Sequence, residues 1–313
     1  MREIFIGLLC AFLASATLLM LLLPLLKRLK AGQYILGYVK EHESKSGTPT
    51  MGGLAFICAI VVVGMCSLGF GCGEANLTLA ITASFMIVGF LDDFLKIYRK
   101  ENEGLKPYQK IIFQLAISLI AALYCYFNGI TKINVPFWGQ AVDISWGIIP
   151  LVIFVFIATV NCVNLTDGLD GLAGGTSCAY LLIIGIMLAM KGVDFALLGF
   201  IGAGAVAAFL IFNTNKASVF MGDTGSLALG GLIACLSVFS GNTLYIPIIG
   251  ITFVFSGISV IVQVIYYKRT RKRVFLMTPI HHHFQMKGYT ECKITYAYFA
   301  LTALVGIFCL IFW

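Results

Sequence analysis

Ile148-Ile149-Pro150-Leu151-Val152-Ile153-Phe154-Val155-Phe156-Ile157-Ala158-Thr159-Val160-Asn161-Cys162-Val163 runs straight into Asn164-Leu165-Thr166-Asp167-Gly168-Leu169-Asp170-Gly171. The first stretch carries no charge and, with a little of its flanks, is long enough to cross bilayer hydrocarbon as a helix. The second is made of carboxamide, carboxylate and glycine, the composition of a polar turn at a membrane surface. An apolar span ending in a chemistry-bearing turn sets the fold class, and the pairing recurs along the chain.

Working outward from it, ten apolar spans are expected: Ile4–Leu26, Met51–Phe70, Leu77–Phe94, Ile111–Phe127, Ile148–Val163, Gly174–Met190, Phe195–Phe212, Ser226–Ser240, Tyr245–Tyr267 and Ile294–Trp313. The eighth is short and draws on Met221–Gly225. Of 313 residues, 60% are hydrophobic and 11% charged, with a mean hydropathy of +0.97. A soluble domain would carry about twice that charged fraction. The expectation is an all-α polytopic integral membrane protein, a single membrane domain over residues 1–313. The first span differs from a cleaved signal peptide: its apolar run is too long, and it ends in Pro24 and Lys27-Arg28. Most of the ten cysteines sit singly in apolar spans and no CxxC pair occurs, which argues against a zinc cluster or a redox motif.

Sorting Lys and Arg over alternate connections gives one basic side. It receives five residues from Lys27–Lys45, five from Lys96–Lys110, Lys216, and seven from Lys268–Lys293, which is 18 of the 21. By the positive-inside rule that side is cytoplasmic and both termini lie outside. Topology alone accounts for much of the asymmetry, with anionic substrates or lipid headgroups as a compatible second use. On the opposite side only Gly129–Ser145 is long, and Val135-Pro136-Phe137-Trp138-Gly139 within it predicts a small β-hairpin with no catalytic role.

The polar segments each allow a functional and a plain structural reading. Asp92-Asp93 closes the third span, where carboxylates near hydrocarbon call for a metal, a cation or proton handling. Helical neighbours diverge by about 100°, so one of the two can face a site while the other braces it. Lys96, at i+4 and i+3, makes a simple helix-end salt bridge the alternative. In Asn161–Gly171, Asn161 and Asn164 share a helix face, and the glycines allow close approach of a ligand. A capped turn explains only part of that run. Asn213–Ser226 places Gly222 and Gly225 around Asp223 at a helix start, an arrangement that could present N–H groups to phosphate while Asp223 holds a cation. An N-cap at Asp223 or Thr224 is the alternative.

His281-His282-His283 lies in the longest basic loop, and three adjacent side chains splay apart, so they rarely chelate one ion together. HExxH spacing is absent. Imidazole bonded to phosphate fits the surroundings better, with adventitious metal affinity as the bland alternative. Lys45–Gly53 resembles a phosphate loop without Walker spacing. Five of the fourteen acidic residues, Asp92, Asp93, Asp167, Asp170 and Asp223, fall at span ends on the basic side, which suggests Mg2+ with a phosphorylated substrate.

Lys45–Gly53, Asp92-Asp93, Asn161–Gly171, Phe220–Ser226 and Pro279–Phe284 occur in the order and spacing of the phospho-N-acetylmuramoyl-pentapeptide transferases. These belong to the polyprenyl-phosphate N-acetylhexosamine-1-phosphate transferase superfamily, which the chain resembles over essentially its whole length. The resemblance implies that UDP-MurNAc-pentapeptide and undecaprenyl phosphate give lipid I and UMP, with Mg2+, at the cytoplasmic face of a bacterial plasma membrane. By resemblance, Asp92 is similar to the proposed base, Asp93 to its essential neighbour, Asp223 to the Mg2+ ligand and His282 to the essential histidine. Lys45, Thr50, Asn164, Asp167, Gly168, Leu169, Asp170, Asn213, Phe220, Gln263 and His283 resemble the nucleotide-side contacts, with Phe220 stacking on uracil. Lys96 and Lys110 join the substrate-binding set. A homodimer is likewise implied, and no nucleic-acid partner.

Two positions depart from the family pattern: Tyr108 stands where Lys or Arg is common, and Gln285 where Glu is common. A phosphate contact is therefore carried over to Lys110 and not to position 108. Direct attack by the lipid phosphate is favoured over a covalent aspartyl intermediate. The rivals are a GlcNAc-1-phosphate transferase of the same superfamily, an ion-coupled transporter, and a scaffold without Mg2+ dependence. A transporter would place its acidic residues near the bilayer midplane, often in repeated halves.

Overall fold

In the computed structural model, which describes residues 2–28, 47–101 and 103–313, the apolar runs are helices. In chain order they are α1 (Arg2–Arg28), α2 (Gly53–Leu68), α3 (Gly73–Arg99), α4 (Pro107–Phe127), α5 (Ile148–Thr166), α6 (Leu172–Met190), α7 (Leu197–Asn213) and α8 (Gly222–Phe239). The short α9 (Ile246–Ile249), then α10 (Ile251–Thr270), α11 (Ile280–Met286) and α12 (Glu291–Ile311) complete the series. Among the described residues nine helices are long and apolar enough to cross a membrane, and α2, at 16 residues, is a shorter apolar tenth. The protein is an all-α, multi-pass membrane protein.

Small residues decide which helices sit at the centre. In a bilayer no hydrophobic force drives helices together, so close backbone approach through Gly, Ala and Ser carries the packing. Helix α8 is buried along nearly its whole length. Its Gly230 lies against Val160 of α5, with only 2.6 Å between a methyl built there and Val160 Cα. On the other flank, a methyl at Gly53 of α2 would overlap the backbone of Gly225. Helices α6 and α7 complete the buried centre, whereas α1, α4, α10 and α12 turn exposed Leu, Ile and Phe outward, as lipid-facing helices do.

The predicted hairpin is present. Lys132–Asn134 (β1) pairs antiparallel with Ala141–Asp143 (β2), in the register Lys132 to Asp143 and Asn134 to Ala141. It joins α4 to α5, and Asn134 Nδ2 ties it to Asn242 Oδ1 at 2.8 Å. The eighth span does recruit preceding residues, since α8 begins at Gly222. The ninth span is not continuous. A 3-10 turn at Thr243–Tyr245 leads into α9, whose first turn accommodates Pro247, and Gly250 ends α9 before α10 begins. The histidines, expected in a loop, form α11, started by Pro279 at its N-cap. All ten cysteines are free thiols.

Candidate functional site

Four helix ends meet at the end of the bundle away from the hairpin: the C-termini of α3 and α5 and the N-termini of α4 and α8. Gly89 makes the first junction possible, because a methyl there would overlap the Asp223 carbonyl and lie 2.6 Å from Thr224 Cα. With α3 and α8 in backbone contact, the next turn of α3 delivers Asp92 and Asp93 to the first turn of α8.

The two carboxylates divide their work. Asp93 Oδ2 accepts the backbone N–H of Thr224 at 2.9 Å and its hydroxyl at 2.7 Å, and Oδ1 accepts the Asp223 N–H at 3.2 Å. It therefore caps α8 from a neighbouring helix. Neither Asp223 nor Thr224 caps its own helix, and the backbone N–H groups of both are taken by Asp93. Lys96 Nζ also lies 3.7 Å from Asp93 Oδ1, but Asp92 makes the closer contacts with cations. Lys96 Nζ lies 2.6 Å from its Oδ2 and Lys110 Nζ 3.0 Å from its Oδ1, while the Leu105 N–H donates to Oδ1 at 2.8 Å. The salt bridge foreseen within α3 is real, but Lys96 also reaches Asp223 Oδ2 at 3.3 Å.

Asp223 is bracketed from two helices. Lys110 of α4 donates to Oδ2 at 2.6 Å, and Asn164 of α5 donates to Oδ1 at 2.9 Å while also reaching Ser226 Oγ at 2.8 Å. One oxygen from each of Asp92, Asp93 and Asp223 lies within 4.8 Å of the others, so this cluster could bind a metal ion. The donors are all hard oxygens, which suit Mg2+ or Ca2+ and not a soft metal. Three carboxylates against two ammonium groups leave one net negative charge.

The turn after α5 runs beneath the histidines. A methyl at Gly168 would overlap His281 Nε2 and meet His282 Nε2 at 2.9 Å. Burial, with Asp223, Asp93 and Asp170 nearby, pushes the Asp167 carboxyl up to about 8. His281 is fully buried with neither ring nitrogen hydrogen-bonded, and burial beside His282 lowers it to about 3, so it is neutral. The triplet splays as expected: His281 packs on Tyr298, His282 Nδ1 meets Gln285 Oε1 at 3.1 Å, and His283 Nδ1 accepts the Leu276 N–H at 3.1 Å. Gln285 also donates to Glu291 at 3.2 Å, so the departure from Glu serves as a bridge between His282 and α12.

Other expected residues brace this floor. Asn213 accepts from the Gly171 N–H and donates to the Val219 carbonyl, both at 2.9 Å. Asp170 accepts the Ala217 N–H at 2.9 Å. Leu169 packs with Leu172, Ile294 and Tyr298, so its side chain is core and not a polar contact. Thr50 lies beside Gly222, held there because the Phe220 N–H donates to the Pro49 carbonyl and the Gly52 N–H to the Phe220 carbonyl, each at 2.8 Å. Phe220 is half-buried at this junction. Gln263 accepts the Val274 and Phe275 N–H groups at 3.0 Å, anchoring the segment before α11. Tyr108 is exposed. Lys45 lies outside the described residues. Sequence reasoning missed Gln114, and it named Asn161, Thr224 and Ser226 without their partners Gln114, Asp93 and Asn164. Gln114, a lone carboxamide in an apolar span, carried the only signal for that pair on α4.

Comparison with known proteins bears on this geometry. Residues 75–241, which contain all three clustered aspartates, match the model described as glycosyl transferase family 4. Residues 45–57 match phospho-N-acetylmuramoyl-pentapeptide-transferase signature 1. A phospho-N-acetylmuramoyl-pentapeptide-transferase of Bacillus subtilis is 40% identical, with 98% of each chain covered. One from Clostridium perfringens is 42% identical, covering 99% of this chain and 97% of the relative. One from Clostridioides difficile is 39% identical, covering 95% and 94%.

Proposed function

The chain belongs to the phospho-N-acetylmuramoyl-pentapeptide-transferase family within glycosyl transferase family 4, and from that premise we propose that it transfers phospho-MurNAc-pentapeptide from UDP-MurNAc-pentapeptide to undecaprenyl phosphate. The products are UMP and lipid I, in the first membrane step of peptidoglycan synthesis. The observation that carries this reading is the convergence of Asp92, Asp93, Asp223, Lys96 and Lys110 at one end of a membrane bundle.

The chemistry is a displacement at phosphorus. An oxygen of the lipid phosphate attacks the sugar-bearing phosphorus of the nucleotide donor, and the bond to the UMP phosphate breaks. A phosphate monoester has a second pKa near 6, so at pH 7 the lipid phosphate is already mostly a dianion and needs little help from a base. The harder task is bringing that dianion up to a diphosphate. Lys96 and Lys110 supply two positive charges at that point. Burial and the neighbouring carboxylates of Asp223, Asp93 and Asp170 raise the Asp167 carboxyl, which weakens its repulsion of incoming phosphates. Asp92, which holds both lysines, positions them and is available as a modest base. His282, beside Gly168, is placed to donate to a diphosphate oxygen.

Mg2+ is the proposed cofactor: Asp223, with Asp92 and Asp93 near it, would hold it, and the ion would supply charge stabilisation for phosphate groups there. The basic loops at this end of the bundle support a cytoplasmic site in a bacterial plasma membrane. Asn164, Asp167, Gly168 and Phe220 form the proposed nucleotide side, with His283 and Gln263 shaping the segment above it. A donor comparison tests the reading. Purified protein with undecaprenyl phosphate is expected to release UMP from UDP-MurNAc-pentapeptide and not from UDP-GlcNAc. The reverse preference would assign it to the GlcNAc-1-phosphate transferases instead.

A further inference from the structure

One buried polar pair lies outside the site and has no part in the chemistry described so far. Gln114 of α4 is fully buried in an apolar span. Asn161 of α5 donates to Gln114 Oε1 at 2.7 Å, and Gln114 Nε2 reaches back to Asn161 Oδ1 at 3.5 Å. Asn161 also donates to the Ile157 carbonyl at 2.7 Å. Carboxamides within a membrane span are costly unless paired, and their hydrogen bonds across helices specify which faces meet.

The position of the pair gives it meaning. Gln114 is four residues beyond Lys110, so both lie on one face of α4, with Gln114 one turn deeper. Asn161 is three residues before Asn164 on the same face of α5, also one turn deeper. Lys110 and Asn164 are the two donors that bracket the Asp223 carboxylate, one on each oxygen, at 2.6 and 2.9 Å. The pair thus joins the same two helices that hold Asp223. A slip of one residue between them would move a donor by about 1.5 Å along its helix and rotate it by about 100°. The short Asn164 side chain cannot make up such a shift.

We propose that Gln114 and Asn161 form a register clamp between α4 and α5 that positions Lys110 and Asn164 on Asp223. They are positioning residues: neither touches the acidic cluster, and both act through the donors one turn above. The proposal rests on the site reading given above, but its geometric half can be tested without turnover.

Two measurements test it. The first is a thermal-stability cycle in detergent with Gln114→Leu, Lys110→Met and the double variant. If the clamp serves the Lys110–Asp223 contact, Gln114→Leu lowers Tm clearly less in the Lys110→Met background than in the wild-type background. Strictly additive shifts would overturn the proposal, whatever the enzyme's activity. The second is steady-state UMP release. Gln114→Leu is expected to lower kcat at least tenfold, with KM for the nucleotide donor within threefold. The exchanged pair, Gln114→Asn with Asn161→Gln, restores a carboxamide bridge and is expected to recover kcat to within threefold of wild type. Unchanged kcat in Gln114→Leu, or a failed exchange in a variant of wild-type Tm, would contradict the clamp. Absence of turnover in the wild-type protein would instead overturn the functional reading and leave the stability cycle to decide the clamp.

Discussion

Asp93 accepts both the backbone N–H and the side-chain hydroxyl of Thr224, at 2.9 and 2.7 Å, from a helix more than a hundred residues away in sequence. The helix carrying Asp223 is therefore started by a carboxylate belonging to its neighbour. That arrangement gives the two adjacent aspartates different leading tasks: Asp93 holds the helix, with Lys96 Nζ 3.7 Å from its Oδ1, and Asp92 makes the closer contacts with both lysines.

Stability should follow that division. Asp93→Ala strands the Asp223 and Thr224 donors in a buried place and is expected to cost about 2–3 kcal/mol. Thr224→Val removes only the hydroxyl, at about 1 kcal/mol. Melting in detergent should rank wild type above Thr224→Val, and Thr224→Val above Asp93→Ala. An Asp93→Ala protein as stable as wild type would show that the cap is dispensable.

Gly168 should tolerate no side chain. Its would-be methyl overlaps Nε2 of His281, which is fully buried. Gly168→Ala is expected to cut turnover by about tenfold or more through displacement of α11, while Gly71→Ala, where a methyl meets nothing within 4 Å, leaves turnover unchanged. Equal, full activity in both proteins would mean that α11 need not sit against this turn.

The three histidines should differ. His281 is neutral and packed on Tyr298, so His281→Ala acts through lost packing and lowers Tm. His282→Ala should lose most turnover in a protein that still purifies folded. If the run merely binds metal adventitiously, all three alanine substitutions would leave turnover near wild type.

Orientation is open to direct chemistry. In a cysteine-free background, Lys272→Cys at the site end should be silent to a membrane-impermeant maleimide in intact cells, and Gln140→Cys in the hairpin turn should react. The opposite pattern would invert the protein and place its site outside.

Much of this was legible because the signals are local. Apolar runs gave the helices, and Val135–Gly139 between polar flanks gave the hairpin. Adjacent carboxylates at a span end marked Asp92 and Asp93, whose surroundings are too apolar for idle charge. What stayed hidden was non-local. The cap on α8 comes from α3, so nothing next to Asp223 announces it. The resemblance assigned Asn213 and Gln263 to nucleotide contact, whereas their carboxamides hold backbone groups of neighbouring loops, partners that no spacing reveals. The break at Gly250 was masked by uniformly apolar neighbours, although Gly250 itself carried the signal.

The central claim is that Asp223 and its neighbours perform an acceptor- and Mg2+-dependent phosphosugar transfer. The most direct measurement is UMP release from UDP-MurNAc-pentapeptide by purified wild-type and Asp223→Asn protein, with and without undecaprenyl phosphate and Mg2+. Wild-type protein should release UMP only when both are present. The nearly isosteric Asp223→Asn protein should melt as a folded species yet lose turnover by orders of magnitude, with little recovery in excess Mg2+. Wild-type-like turnover by Asp223→Asn at ordinary Mg2+, or UMP release that ignores the lipid acceptor, would contradict the account.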